Sequence, residues 1–258
     1  MTNQPYAAMP LHDPDGIHFP HLARATPQLT SLFERVFVSI SAATAQNQPD
    51  WIEWLEREPF YHALYRPEGT PVGEQFWGLY DYAVEHSEPE RVLHLCFPDR
   101  VAFALGTEHR DAFSADVGAI TADGVPLLFE RSEAAWATHP RNYRDVEAFA
   151  IRAGEWLLGR SLDWTWCHLA VQVQQLSPAL PYAQSPDLSM LAQILLHLRG
   201  QVTTRQVDWL AWEDPFILGR DPALLRRERE GSPAETKKRL SYVIPTLQVL
   251  VHAAGGWE

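Results

Sequence analysis

Apolar and polar positions along the chain fall into two regimes. In the first, short apolar or β-branched runs alternate with stretches whose apolar residues recur every three or four positions. Arg35-Val36-Phe37-Val38-Ser39-Ile40 is a β-branched run of strand type, and residues 60–65 form a second. Arg91-Val92-Leu93-His94-Leu95-Cys96-Phe97 is the clearest buried strand, and Val125-Pro126-Leu127-Leu128-Phe129-Glu130 is a fourth. Between them, Thr26-Pro27 reads as a helix start, with Thr as cap and Pro at the first helical position. A short helix is expected at 51–55, and Phe76, Trp77, Tyr80, Ala83 and Val84 predict one over 74–86. Thr107 caps another, running to about residue 117.

In the second regime helical spacing takes over. Val146, Phe149, Ala150, Ala153, Trp156 and Leu157 form one stripe of a helix over 142–159. Residues 162–176 and 188–198 read as further helices, the latter stopped by Gly200. Ser232-Pro233-Ala234-Glu235 is a capping box that opens a last helix to about residue 253, with a kink expected at Pro245. Strand and helix in alternation imply βαβ units. The expected architecture is α/β: a Rossmann-like, three-layer, mostly parallel sheet with a mainly helical C-terminal elaboration. Residues 1–25 bear Pro and His without period and read as an N-terminal arm. Residues 26–258 read as one α/β domain, with 26–131 the sheet-forming, ligand-binding half and 132–258 the mainly helical half.

Composition narrows the function classes. With 258 residues, 46% of them apolar, the chain can bury a full core. A net charge of −12 argues against holding nucleic acid or anionic membrane by general electrostatics. Cys96 and Cys167 are too few for a disulfide scaffold and form no C-x-x-C pair, so both are expected to pack as small hydrophobes. The start of the chain lacks the charged and apolar regions of a signal peptide. The longest stretch without acidic or basic residues, 164–186, is interrupted by Gln172, Gln174, Gln175, Pro178 and Pro181, so no membrane span is expected. A cytoplasmic protein is the default reading. Ten tryptophans favour a ring-binding cleft somewhere, although each indole alone is more often core.

No phosphate loop, G-x-G-x-x-G turn, G-x-S-x-G elbow or H-E-x-x-H is present. What remains is positional. Ligands of open parallel sheets sit at the carboxyl ends of the strands. Those ends hold Ser39, Ser41 and Thr44 after the first predicted strand, Arg66 after the second, Asp99 and Arg100 after the third, and Arg131 after the fourth. Arginines and hydroxyls at one edge suit an anionic, hydroxyl-rich ligand, and a carboxylate there can take a metal or a sugar hydroxyl. The bland alternative for Asp99-Arg100 is a helix cap beside a surface ion pair.

The order of strand, hydroxyl-bearing turn, helix and then Val92-Leu93-His94-Leu95-Cys96-Phe97-Pro98-Asp99-Arg100 resembles the nucleotide-sugar-binding half of GT-A-type glycosyltransferases, over about residues 34–131. In that family an apolar strand ends in D-x-D, whose carboxylates hold a divalent metal against the sugar-nucleotide diphosphate. Here only the second position matches, at Asp99; the first is Phe97, which cannot ligate a metal. The resemblance implies a sugar nucleotide or similar phosphorylated small molecule as ligand, Mn²⁺ or Mg²⁺ at Asp99, and Ser41, Thr44, Arg66, Asp99, Arg100 and Arg131 as its binding residues. It also implies a catalytic carboxylate in the second half, for which Glu213 and Asp163 are the candidates by position. The missing aspartate keeps open a non-catalytic ligand-binding or interaction protein with a degenerate site.

A third reading is a metal-dependent hydrolase. His12, Asp13, Asp15, His18 and His21 place five metal-capable side chains within ten residues. His109 near a helix start and His168, on a predicted helix, are weaker catalytic candidates; His168 reads better as a buried, hydrogen-bonded histidine. The basic residues of 224–229 with Lys237, Lys238 and Arg239 read as a solvated helix face, or else as a phosphate-contacting patch.

Overall fold

The structure, a computed structural model, describes residues 4–255. The first half contains β1 (Tyr6–Leu11), α1 (Phe19–Leu32), β2 (Arg35–Ile40), α2 (Ala42–Asn47), α3 (Pro49–Arg57), β3 (Tyr61–Tyr65), α4 (Val72–Glu85) and β4 (Val92–Cys96). Then come α5 (Pro98–Gly106), α6 (Arg110–Gly118), β5 (Leu127–Arg131), α7 (Glu133–Thr138) and α8 (Arg141–Leu158). The chain continues through β6 (His168–Gln172), α9 (Val173–Leu176), α10 (Ser189–Leu198) and β7 (Thr203–Val207). It closes with α11 (Asp214–Ile217), α12 (Pro222–Glu230) and α13 (Pro233–Ala253).

The strands form one seven-stranded sheet of order β3-β2-β1-β4-β6-β5-β7, in which β6 runs antiparallel to both neighbours. Alternate residues of the strands feed two apolar layers, as a period of two requires. Ala7, Met9 and Leu11 pack with α1, α5 and α6 on one face; Tyr6, Ala8, Leu93 and Leu95 pack with α4 and α10 on the other. The three-layer, mostly parallel Rossmann-like arrangement is therefore the one the alternation of elements predicts. No helix among the described residues is long and apolar enough to cross a membrane.

Four expectations change. The arm over 1–25 gives way to β1, a central strand, and to the first turns of α1; residues 1–3 lie outside the described residues. Tyr-Ala-Ala-Met-Pro-Leu has little β-branching and a proline, and a strand covered on both faces shows no alternation. Helix α1 begins at Phe19 rather than Thr26, which leaves Pro27 inside it. The Asp13 carboxylate makes the earlier start favourable by accepting the backbone N–H groups of Ile17, His18 and Phe19 at 2.8, 2.8 and 3.0 Å. Of the helix expected over 162–176 only α9 (Val173–Leu176) is helical: 162–167 is irregular and 168–172 is strand β6, because a fully buried run carries no periodic signal. Finally, the half over 132–258 supplies two strands; β7, Thr-Thr-Arg-Gln-Val, is an exposed edge whose polarity hides it.

Helix α8 forms where expected, but its inner stripe is Tyr143, Glu147, Ala150, Ala153 and Gly154, and Trp156 is 70% exposed. Gly154 carries the fully buried Trp164 indole directly against its backbone: a Cβ there would lie 1.9 Å from Trp164 Nε1. Gly154→Ala is therefore expected to destabilise by about 1–3 kcal/mol despite the better helix propensity of Ala. A urea midpoint equal to or above that of the parent would show that Trp164 can move aside at no cost.

Candidate functional site

Strand order reverses between β1 and β4, the place where open α/β sheets bind ligands. Local sequence opens this seam. Strand β1 stays in register with β2 as far as Leu11, but its pairing with β4 ends at Ala8↔Leu95. Two residues later Pro10 has no N–H to offer a ladder. On the other side, Pro98 opens α5 directly after β4, with Asp99 in its first turn.

Two cavities occupy the seam. One, about 350 Å³, lies between the end of β1 and α4, lined by Leu11, His12, Thr70, Gln75 and Phe76 among others. The second, about 310 Å³, lies beyond the ends of β4 and β5, under α13. His18, Phe97 and Asp99 line both.

The second cavity gathers four of the residues singled out from sequence: Asp99, Arg100, Arg131 and Glu213. Arg100 is buried on α5, donates to Ala211 O at 3.0 Å and is ion-paired with Glu213. Burial pushes the Glu213 carboxyl up to about 8; Arg100 pulls it down, while Asp99 and Asp214 add to the rise. Arg131, at the end of β5, bonds Glu147 at 2.5 Å and Asp163 at 2.6 Å, and stacks 3.7 Å from the centre of the Trp136 ring. Burial works against its charge, but Asp163 and Glu147 outweigh that and raise its pKa. The Asp99 carboxylate accepts the Arg100 N–H at 2.8 Å and has no ion-pair partner among the described residues.

The other predicted residues stand apart. Asp163 is buried and occupied by Arg131, Thr165 N and Thr165 Oγ1, and lines neither cavity. Arg66 turns to a separate cavity with Glu74 and Trp77, where it donates to Glu74 O at 3.3 Å. Ser41 and Thr44 are buried in a local network: Ser41 caps α2, the two hydroxyls are 2.9 Å apart, and Thr44 Oγ1 accepts Asp13 N at 2.7 Å. They tie the end of β1 to the end of β2 and line neither cavity.

The N-terminal cluster does not assemble into a metal centre. Asp13 caps α1, His12 Nδ1 lies 2.8 Å from Ser41 Oγ, and His21 Nε2 lies 3.2 Å from Ile217 O. Among the described residues, the group of three or more metal-capable side chains with ligand atoms within 4.8 Å is His94, Cys96 and His168. It is fully buried in the sheet, lines neither cavity, and its two imidazoles are paired, with His168 Nδ1 3.1 Å from His94 Nε2. Burial lowers the pKa of both rings and raises the Cys96 thiol, so all three are neutral core groups. His168 thus sits on a strand rather than a helix.

Sequence reading missed Glu147 and Tyr242 as cavity residues, and named Lys238 and Arg239 only in its second reading, as a phosphate-contacting patch. Arg239, expected on a solvated face, lies inward, 3.2 Å from Glu147 and 3.7 Å above the Tyr143 ring. The recoverable signal was the spacing of Tyr143, Glu147, Ala150 and Gly154, which puts a carboxylate in the buried stripe of α8.

No protein-family model matches the chain, and comparison with curated proteins gives no match. Solved structures do share its fold. Glucosyl-3-phosphoglycerate synthase from Mycobacterium tuberculosis, in complex with Mn²⁺, UDP-glucose and phosphoglyceric acid, superposes with a TM-score of 0.56 at 13% identity, covering 99% of this chain and 81% of that one. The same enzyme with UDP gives 0.55 at 12%, covering 99% and 82%. A further mycobacterial protein gives 0.53 at 14%, covering 99% and 76%. The fold is that of GT-A nucleotide-sugar glycosyltransferases.

Proposed function

We propose that this protein binds a nucleoside-diphosphate sugar across the β1/β4 seam and transfers its glycosyl group to a small acceptor. One observation carries the reading: three of the residues picked from the strand ends, Asp99, Arg100 and Arg131, converge with the candidate carboxylate Glu213 on one cavity at the switch point of a GT-A-type sheet. Fold neighbours support the ligand class, because one of those structures holds UDP-glucose with Mn²⁺ and another UDP with Mg²⁺.

In such a transfer the sugar C1–O bond to the diphosphate breaks as an acceptor hydroxyl attacks C1 and loses its proton. Charge grows on the leaving diphosphate, and Arg100 is the buried guanidinium placed to meet it. Arg131 keeps its two carboxylates and acts by holding the cavity wall, with Asp163 fixing it. Glu213 is the candidate base. A carboxyl raised toward 8 is matched to taking a proton near neutral pH, and its neighbour Arg100 stabilises the charge it exposes when empty.

The uncommitted Asp99 carboxylate fits a divalent cation, which Mg²⁺ or Mn²⁺ sites build from one or two protein oxygens plus substrate phosphates. Asp99 would hold it, and the chemistry supplied there is neutralisation of the diphosphate. Phe97, packed on Phe76 at a ring separation of 5.3 Å, favours a second reading: binding without transfer.

A thermal-shift screen of UDP- and GDP-sugars, with and without Mn²⁺, tests the proposal. At one hundred times Kd the expected gain is about 2.7 kcal/mol, which corresponds to a rise of about 5 °C or more. Asp99→Ala should remove it. Release of nucleoside diphosphate separates transfer from mere binding, and no shift with any sugar nucleotide overturns both readings.

A further inference from the structure

One imidazole of the N-terminal His/Asp segment stands at the junction of the two cavities. We propose that His18 is the second protein ligand, beside Asp99, to the divalent cation that accompanies the diphosphate, in place of the carboxylate missing at Phe97. The inference rests on the sugar-nucleotide reading above.

Four observations lead to it. His18, Asp99 and Phe97 are the residues common to both cavities, so the imidazole and the carboxylate border the same space. The Asp99 carboxylate meets the Arg100 N–H and has no ion-pair partner among the described residues. His18 is half-buried with Nδ1 shielded from solvent, and its other ring nitrogen, Nε2, makes no hydrogen bond among the described residues, so Nε2 is the atom open to a ligand. Of the neighbouring histidines, His12 has Nδ1 on Ser41 Oγ and His21 has Nε2 on the Ile217 carbonyl, and neither borders both cavities as His18 does.

The backbone under His18 is built in advance. Asp13 Oδ2 accepts the His18 and Phe19 N–H groups at 2.8 and 3.0 Å, and Oδ1 accepts Ile17 N–H at 2.8 Å. Gly16, at a φ of 69°, closes the turn with Gly16 N–H on Asp13 O at 3.1 Å. Residues that looked like a ligand cluster thus serve to set one ligand. A neutral imidazole with a carboxylate and phosphate oxygens is a donor set that suits Mn²⁺. It recovers two protein donors from two different elements where the resembled motif draws both from one strand end.

The test reads the metal directly, by pulsed EPR on the full-length protein with Mn²⁺ and UDP as probes. The expected spectrum shows modulation from a directly bound imidazole nitrogen. His18→Ala should abolish that modulation and weaken Mn²⁺ binding about tenfold or more. Asp99→Asn should weaken binding but keep the nitrogen signal, and His12→Ala should change neither. Melting curves confirm that each variant folds. A Mn²⁺–UDP complex without nitrogen coupling, or coupling that survives His18→Ala, overturns the assignment while leaving the sugar-nucleotide reading in place. UDP binding that Mn²⁺ never joins does the same. If UDP and the sugar nucleotides all fail to bind, the reading itself falls and the assignment with it.

Discussion

Arg131→Met is expected to destabilise the protein by about 3–5 kcal/mol, the largest single effect foreseen among the cavity residues. The guanidinium lies 6% exposed between Glu147 and Asp163, so removing it strands two carboxylates in the interior. Glu147 keeps Arg239 at 3.2 Å, and Asp163 keeps Thr165, which holds the loss below that of two bare charges. Methionine preserves much of the packing over Trp136 but not the cation–π contact. Urea unfolding measures the loss. A change below about 1 kcal/mol would mean that water reaches the network and screens it.

The second large effect is a pH dependence traced to Glu213. Burial raises its carboxyl from the ordinary 4.5 to about 8 in the folded protein. Across that window the folded state keeps a proton that the unfolded chain has released, so stability falls as pH rises, by up to about 1.4 kcal/mol per pH unit. Glu213→Gln removes the titration. The variant should match the parent's stability trend only below the window and gain on it steadily from about 5 to 8. Parallel stability curves across that range would show instead that Arg100 keeps Glu213 ionised throughout. The same titration bears on function: a base that fills and empties near neutral pH predicts transfer that rises toward pH 8, if Glu213 is the acceptor of the proton.

The two effects separate the roles of neighbouring acids. Asp163 and Glu147 are paired with an arginine that holds the wall, whereas Glu213 sits at the cavity wall in a balance between burial and one arginine. That distinction was invisible from spacing, because Asp163 and Glu213 looked alike as carboxylates of the second half.

The chain by itself determined the class of fold and the edge at which chemistry gathers. Helices with a wide apolar stripe, such as those around Tyr80 and Ala150, and strands rich in β-branched residues, such as β2, carry their own periodicity. Proline and capping residues mark where they stop, which placed Asp99, Arg100 and Arg131 at strand ends without any coordinates. Only the tertiary structure decided which of the polar groups converge. Strand β1 is central although its sequence is bland, since burial on both faces erases the alternation that would announce it. Its seam with β4 creates the cavities, and no local pattern encodes a pairing that ends after Ala8. Likewise Glu147 and Arg239 lie 92 positions apart and meet only because α8 and α13 pack together. Local propensity acts over a few residues, whereas the site is assembled from charges whose cost of burial is balanced across the whole fold.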